Sequence, residues 1–423
     1  MSFIDELEWR GLVHQATHPE IGALLETERL TVYCGFDPTA DSLHIGHLLP
    51  LMGLARFQRE GHRPVALMGG ATGMIGDPSF KSAERQLLTP ADVERNVVGI
   101  EKQLRRLLNF EGDNAAIVVN NHDWLGKLSL VKFLRDVGKH FSVNVMMAKE
   151  SIRARLEDRD HGISFTEFSY PLLQAYDFLQ LYDAHGCRLQ IGGSDQWGNI
   201  VAGMDLTRRL REDATTYGLT FPLLTKSDGT KFGKTERGNV WLDPEKTSPY
   251  QFYQFWLNQA DADAPKYLRS FTFLSRDEVV DLEDSVIAEP EKREAQRRLA
   301  EEVTRNLHGE EALGVAEKAT QAMFGGDLAG LDDAALLDIF SDVPSSEHGR
   351  SDLNGEKPVM DALVEGGVFK SKGEAKRLIQ SGGLYLNNER VAIDEKLTEA
   401  SLCSERIAVI RKGKKNYHLM KFQ

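Results

Sequence analysis

Two short runs carry residue types suited to phosphate chemistry. Cys34–His47 (CGFDPTADSLHIGH) sets His44 and His47 three residues apart at the start of an expected helix, so both rings leave one face of its first turn. That turn offers unsatisfied N–H groups and the positive end of the helix dipole, which suits an anion. Gly46 between them removes a side chain, so a flat purine or ribose can come close to the backbone. A metal pair fits less well, because helical zinc ligands prefer i,i+4 spacing and no nearby Glu or Cys completes a set. The plain alternative is two surface histidines at a helix start. The second run, Lys226–Thr235 (KSDGTKFGKT), invites a P-loop reading and fails it on count. Walker A needs four residues between its first Gly and the Gly-Lys-Thr, whereas Gly229 and Gly233 enclose three. No apolar strand of usual length leads straight into it. What remains is a Gly-bracketed loop presenting Lys231, Lys234 and Thr235, able to bring two cations over a polyphosphate. Taken alone, a solvated basic turn explains it as well.

Elements able to position these runs are visible around them. Leu30–Phe36, Val65–Gly69, Ala115–Val119 and Arg188–Gly192 are short apolar runs, each followed by turn residues and then a helix-period stretch. Strands separated by helices predict a parallel, doubly wound sheet of the nucleotide-binding kind. The mainly helical text from about 120 to 186 reads as an insertion between two strands of a domain spanning 1–245. Residues 246–325 read as all-helical. Residues 326–352, with Gly325-Gly326, Gly330 and the polar run Pro344–Asp352, read as a linker, and 353–423 as a further small domain. Pro50 falls in the first turns after His47, where its missing N–H is tolerable and its ring is expected to be accommodated.

Composition narrows the classes. At 423 residues the chain is long enough for two or three domains of about 150 residues. With 41% hydrophobic and 27% charged residues it reads as globular rather than disordered. The net charge of −13 excludes a uniformly basic coat, yet the segment Glu356–Gln423 alone holds 13 basic and 9 acidic residues. No uncharged run approaches the ~18 residues of a membrane span. Acidic residues precede any basic one at the N-terminus, the wrong order for a secretory signal. Three scattered cysteines (Cys34, Cys187, Cys403) fit a reducing cytoplasm and supply neither a disulfide framework nor a zinc site. No metal-ligating set is expected.

Together the two phosphate runs are more specific than either. HIGH after the first strand and KxxKT after the last are the paired elements of class I aminoacyl-tRNA synthetases. The runs Tyr33–His47 (YCGFDPTADSLHIGH), Gly69–Arg85 (GGATGMIGDPSFKSAER), Ser164–Phe178 (SFTEFSYPLLQAYDF), Leu189–Ile200 (LQIGGSDQWGNI), Asp228–Thr235 (DGTKFGKT) and Arg411–Tyr417 (RKGKKNY) resemble the bacterial tyrosyl-tRNA synthetases along nearly the whole chain. KFGKT departs from the general KMSKS pattern in the direction of the tyrosyl subset.

The resemblance implies an α/β fold: a Rossmann-type catalytic domain with a helical insertion, then an all-α domain and a small α+β S4-like domain, the last two binding tRNA. It implies ATP as a substrate accompanied by Mg2+, with no permanently bound cofactor, tRNA(Tyr) as partner, and a homodimer formed through the insertion. Thr39 and His44 would meet the phosphates, with Lys81, Arg85, Lys231, Lys234 and Thr235 closing from loops. Cys34, Gly35, Asp37, Gly46, His47, Gly193 and Asp195 would line the nucleoside pocket. Tyr33 and Asp177 would bond the phenolic hydroxyl of tyrosine. Asp77, Tyr170 and Gln174 would hold its ammonium group, with Gln196 beside its carboxylate. Because the attacking carboxylate is already anionic, positioning and charge stabilisation suffice and no general base is needed. In the tail, Lys372, Lys376, Arg377, Arg411, Lys412, Lys414 and Lys415 are the cations expected to meet RNA. Rival readings are the sister tryptophanyl enzyme, a HIGH-type nucleotidylyltransferase without tRNA, and an RNA-binding regulator with a decayed site.

Overall fold

The computed structural model describes residues 1–79, 88–157, 162–230, 232–235, 238–323, 325–328, 330–341, 343–413 and 416–423, with the backbone alone for 150, 151, 154, 234 and 235. It divides into two compact units: residues 1–246 with 259–299, and residues 247–258 with 300–423.

The first unit is built on a six-stranded sheet of β1 (Gln15–Ala16), β2 (Thr31–Phe36), β3 (Arg63–Met68), β4 (Ile117–Asn120), β5 (Cys187–Gly193) and β6 (Tyr217–Phe221), in spatial order 1-6-5-2-3-4. β2 to β6 run parallel, and only β1 is antiparallel, on β6. The four expected strands are present within two residues of their predicted ends. β6 was not expected, because TYGLTF is short and broken by Gly and Thr, and β1 is a two-residue edge with no apolar signature. Strand β3 shows why parallel strands read as continuous apolar runs: five of its six residues are buried, since helices cover both faces. The chain steps from β2 outward to β3 and β4, then returns to place β5 beside β2. The strand order reverses there, and a crevice opens beyond the carboxyl ends of the strands.

Local chemistry sets the helices that flank this crevice. The long helix Phe165–His185 starts at Ser164, whose hydroxyl accepts from the Glu167 N–H, and stops at Gly186 in a left-handed conformation (φ 59°). Helix Pro90–Leu107 opens with a Thr89/Asp92 capping box and Pro90 at its first turn. The expected insertion is helical: His122–Leu125, Leu130–Asp136, Val143–Ala148 and Glu150–Glu157 precede the long helix. After β2 the structure corrects one detail. The turn Ile45–His47 is a 3-10 turn capped by His44 in an extended conformation, and the α-helix Leu48–Arg59 begins only after it. Pro50 is the third residue of that helix, where no N–H is needed, and the helix runs on past it.

In the second unit, a sheet of Glu389–Arg390, Leu384–Leu386, Ile407–Lys412, Asn416–Phe422 and Ser345–His348 is apolar on both faces. Ala408, Ile410, Met420 and Phe422 pack with helices Val359–Glu365 and Lys372–Gln380. The alternate residues Ile407, Val409, Tyr417 and Leu419 pack with Ala319, Ala322, Leu336 and Phe340. The expected hairpin turns at Asn387 and Asn388, both with positive φ. The expected linker 326–352 is corrected: Asp333–Ile339 is a helix, and Ser345–His348 pairs in parallel with Asn416–Phe422 as an edge strand. Its polar text misled because an edge strand with mostly outward side chains has the composition of a loop. Among the described residues no helix is long and apolar enough to cross a membrane.

Candidate active site

A cavity of about 500 Å³ lies beyond the carboxyl ends of β2 and β5. Its floor is Tyr33, on β2 between Val65 and Gln190 of the neighbouring strands, and Asp177 from the Phe165–His185 helix. Both are 1% exposed. The Tyr33 hydroxyl is buried and, among the described residues, has no hydrogen-bond partner. Burial, then the Asp177 charge, raises its pKa well above the ordinary phenol value. Asp177 accepts from Trp124 Nε1 (2.7 Å) and Asn121 Nδ2 (3.0 Å). Burial pushes its carboxyl up to about 7, against the pull of those two donors and with a smaller push from Asp37.

Above the floor, one hydrogen-bond chain crosses the crevice. Tyr170 donates to Asp37 Oδ2 (2.9 Å) and Thr72 donates to Asp37 Oδ1 (2.8 Å). Asn121 Nδ2 reaches Thr72 Oγ1 (2.9 Å) as well as Asp177. A second group centres on Gln196, whose amide donates to Asp77 Oδ2 (2.8 Å) and Asp195 Oδ2 (3.0 Å) and accepts from Gln174 (3.2 Å). Tyr170, Gln174 and Asp177 follow i, i+4, i+7 spacing, which puts them on one face of their helix. The carboxylates of Asp37, Asp77 and Asp195 make this part of the cavity a place for an ammonium group.

At the rim, the two histidines lock their turn reciprocally. The Gly46 N–H donates to His44 Nδ1 (3.0 Å) and the His44 N–H to His47 Nδ1 (3.3 Å), with ring centroids 4.0 Å apart. A ring nitrogen that accepts is unprotonated, so each neutral imidazole carries its proton on Nε2, a donor suited to phosphate or ribose oxygens. Gly46 answers a closer need than the one expected. A Cβ there would lie 2.8 Å from the His44 ring, so the glycine makes room for the histidine itself. Thr39, Cys34, Gly35 and Gly193 complete this end of the cavity. Burial and Asp195 push the Cys34 thiol up to about 12, which keeps it an uncharged wall.

Of the expected substrate-binding positions whose side chains are described, every one lines this one cavity. Lys81, Arg85 and Lys231 lie outside the described residues. Lys234 and Thr235 form a two-residue strand against Gly238–Asn239. Asn121, Trp124 and Thr72 were missed. They follow the carboxyl ends of β4 and β3, the only signal that could have found them. Of the tail cations, Lys376 and Arg377 are exposed on the Lys372–Gln380 helix, and Lys372 pairs with Asp361 (2.8 Å). Arg411 is turned inward onto the Tyr385 ring (3.8 Å) and Asn388 (2.9 Å), and Lys412 onto the Val368 carbonyl (3.0 Å). Lys414 and Lys415 lie outside the described residues. Among those described, no group of three His, Cys, Asp or Glu residues is placed to hold a metal ion.

Family models match both parts of the chain: class I tRNA synthetases (W and Y) over residues 25–325, and the tyrosine–tRNA ligase SYY-like C-terminal domain over 335–420. The chain is 55% identical to the tyrosine–tRNA ligase of Geobacillus stearothermophilus over 425 residues, covering all of both chains. It is also 55% identical to that of Roseiflexus castenholzii, over 99% of each. Among solved structures, the C-terminally truncated mitochondrial tyrosyl-tRNA synthetase of Aspergillus nidulans superposes with a TM-score of 0.68 at 30% identity, covering 76% of this chain and 94% of that one. The Plasmodium falciparum tryptophanyl-tRNA synthetase shares the fold alone, at 13% identity and a TM-score of 0.52 over 79% of this chain and 87% of its own. The chain belongs to the class I tRNA synthetases of the tryptophan and tyrosine group, and its C-terminal part is the tyrosine–tRNA ligase type of domain.

Proposed function

We propose that this chain ligates tyrosine to its tRNA in two steps, and that the cavity at the strand ends is where both occur. The observation that carries this reading is the floor: a buried hydroxyl, on Tyr33, without a partner among the described residues, beside a carboxyl held by two donors, on Asp177. Leaving a polar group buried and unpaired costs about 1–3 kcal/mol, so such a pair is built for a ligand that carries a hydroxyl. Phenylalanine would leave it unpaired, and tyrosyl-tRNA synthetases are themselves the type case of that discrimination. With the phenol at the floor, Asp77, Tyr170 and Gln174 receive the ammonium group, and the carboxylate stands beside Gln196. One carboxylate oxygen attacks the α-phosphorus of ATP, the bond to the bridging oxygen breaks, and pyrophosphate leaves. His44, Thr39 and the loop cations Lys81, Arg85, Lys231, Lys234 and Thr235 stabilise the charge that moves onto the phosphates. The ribose and adenine lie along Cys34, Gly35, Asp37, Gly46, His47, Gly193 and Asp195. A hydroxyl of the terminal adenosine of tRNA then attacks the acyl carbon, and AMP leaves. Magnesium fits as a counter-ion carried on the triphosphate, which needs only one or two protein oxygens.

The exposed cations Lys372, Lys376 and Arg377 are the proposed RNA-facing group, while Arg411 and Lys412 hold the domain together. The insertion exposes Leu130 (71%), Val131 (75%), Val145 (64%) and Phe165 (77%). Such apolar exposure marks an interface, and a second copy of the chain is the proposed occupant. Val131→Asp is expected to convert a dimer to monomer in sedimentation; an unmodified chain that sediments as a monomer would refute the pairing. The proposed compartment is the reducing cytoplasm, where three free thiols persist. The deciding assay is exchange of labelled pyrophosphate into ATP with tyrosine, tryptophan or phenylalanine and no tRNA. Exchange with tyrosine alone is expected. Exchange with tryptophan would move the substrate to the sister enzyme, and none with any amino acid would defeat adenylate chemistry.

A further inference from the structure

Thr39 reaches the cavity from an irregular loop, Asp37–Leu43, that contains no strand or helix to fix its shape. The loop lies instead along one face of the helix Pro90–Leu107. Asn96 Nδ2 donates to the Pro38 carbonyl (2.9 Å). Gln103 accepts from the Leu43 N–H (2.8 Å) and donates to Ser42 Oγ (3.0 Å), and that hydroxyl donates to the Leu43 carbonyl (2.7 Å). Between the two amides Gly99 meets the loop backbone, where a Cβ would lie 2.0 Å from the Asp41 carbonyl oxygen. Asn96, Gly99 and Gln103 follow i, i+3, i+7 spacing, one stripe of the helix. From the other side the loop is tied by the Leu242 N–H to the Leu43 carbonyl (2.8 Å), the Asp243 N–H to Ser42 Oγ (3.3 Å) and Lys246 to Asp41 (2.7 Å). Asn96, Gln103 and Ser42 are buried, whereas Thr39 stands exposed at the cavity end. Buried loop carbonyls and N–H groups need partners, and two helix side chains supply them here.

We propose that Asn96 and Gln103 are positioning residues for adenylate formation, holding the Asp37–Leu43 loop on its helix so that Thr39 and His44 keep their places at the phosphate end of the cavity. This rests on the reading that Thr39 and His44 meet the phosphates. Neither amide lines the cavity, so each acts through the loop. Asn96 holds the peptide that joins Pro38 to Thr39, and Gln103 holds the residue that precedes His44. A planar peptide leaves little slack between such an anchor and the next side chain. The work is geometric, and misplacing a stabilising group by about 1 Å can cost about a hundredfold in rate.

The experiment is a pair of double-mutant cycles on the full chain, read by tyrosine-dependent pyrophosphate exchange, with tyrosine affinity by equilibrium dialysis alongside. One cycle combines Asn96→Ala with Thr39→Ala, the other Gln103→Met with His44→Ala. Each amide variant alone is expected to lower kcat about tenfold and to leave tyrosine affinity unchanged. With Thr39 or His44 already replaced, the matching amide variant should cost less than about threefold further, because a residue that acts through another loses its effect when the other is gone. Gly99→Ala keeps both amides, pushes the loop off the helix and introduces the better helix former. It is expected to slow kcat in the same way and takes the place of Asn96→Ala in the first cycle should that variant fail to fold. An unchanged kcat in an amide variant would overturn the assignment of that residue. So would an equal loss with and without Thr39 or His44, or a loss of tyrosine affinity as large as the loss of kcat, either of which makes the amide part of the general scaffold. Two controls belong to the parent reading: no tyrosine-dependent exchange in the unmodified chain, or full exchange in Thr39→Ala and His44→Ala, would sink that reading and this proposal together.

Discussion

Tyr33 and Asp177 hold polar groups in an environment that penalises them until a ligand arrives. Removing the Tyr33 hydroxyl therefore has opposite effects on binding and folding. Tyr33→Phe is expected to weaken tyrosine binding about fivefold, the worth of one neutral hydrogen bond near 1 kcal/mol, while the thermal midpoint of the ligand-free chain stays level or rises. A fall in that midpoint would mean the hydroxyl already has a partner. Asp177 makes a sharper test through pH. Its carboxyl is pushed up to about 7 by burial, against an unfolded value near 3.8. Between those values the folded chain keeps a proton that the unfolded chain releases. Stability is thus lost as pH rises through that window, and the loss is complete above about 7. Asp177→Asn should flatten the pH dependence of the midpoint between pH 5 and 8, measured by calorimetry. Above pH 7, where the carboxyl is charged, it should also weaken tyrosine binding by about tenfold, since a charged acceptor is lost. An unaltered pH profile would place the titration elsewhere.

At the scale of elements, the Phe165–His185 helix carries three site residues on one face, and helix Pro90–Leu107 presents a stripe to the Asp37–Leu43 loop. The edge strand Ser345–His348 behaves differently, because two histidines share one hydroxyl on it. Ser346 Oγ lies 2.8 Å from His348 Nε2 and 2.9 Å from His418 Nε2. With both rings neutral, the hydroxyl can donate to one ring nitrogen and accept from the other ring's N–H, whereas a cationic ring can only donate. His418 is held down to about 4 by burial, then by Lys412 and His348, and His348 is lowered by burial and Lys357 against Asp352, Glu365 and Glu347. For a histidine with a depressed folded pKa the unfolded chain binds protons first, so stability is lost as pH falls from about 6.5 toward 4. Amide exchange at Asn416–Phe422 should accelerate from pH 7 to pH 5 after correction for intrinsic rate, more than at β2 and β3. Equal change in both strand sets would remove the histidine pair as the cause.

For the whole molecule, the helix Asp333–Ile339 and the strand Ser345–His348 decide where the chain can be cut. Ala319, Ala322, Leu336 and Phe340 pack on the outer face of the C-terminal sheet. Ending the chain at 350 strips that cover and should give an aggregation-prone protein, whereas ending it at 323 leaves fewer apolar side chains bare. Both truncations should keep tyrosine-dependent pyrophosphate exchange, because every described residue of the cavity lies before 272. Charging of tRNA should fall by about a hundredfold or more, the order lost with several phosphate contacts. Equal loss of exchange and charging in the 323 truncation would contradict this division of labour.

Taken alone, the sequence determined the strands β2 to β5, the helical insertion, the Asn387-Asn388 hairpin and most of the cavity lining. Buried parallel strands are continuous apolar runs, and turn residues have fixed backbone needs, so both leave local marks. Tyr170, Gln174 and Asp177 were legible only through the resemblance of Ser164–Phe178 to the tyrosyl-tRNA synthetases, and the helix, which repeats its face every three to four residues, shows why they act together. Only the tertiary structure decided that Asn121 and Trp124 hold Asp177, that Gly46 makes room for His44, and that Ser345–His348 is a strand rather than a linker. It alone placed Asn96 and Gln103 on the Asp37–Leu43 loop. Each of those depends on chain segments far apart in sequence meeting in space, and a pattern read along one segment contains no record of what the other brings.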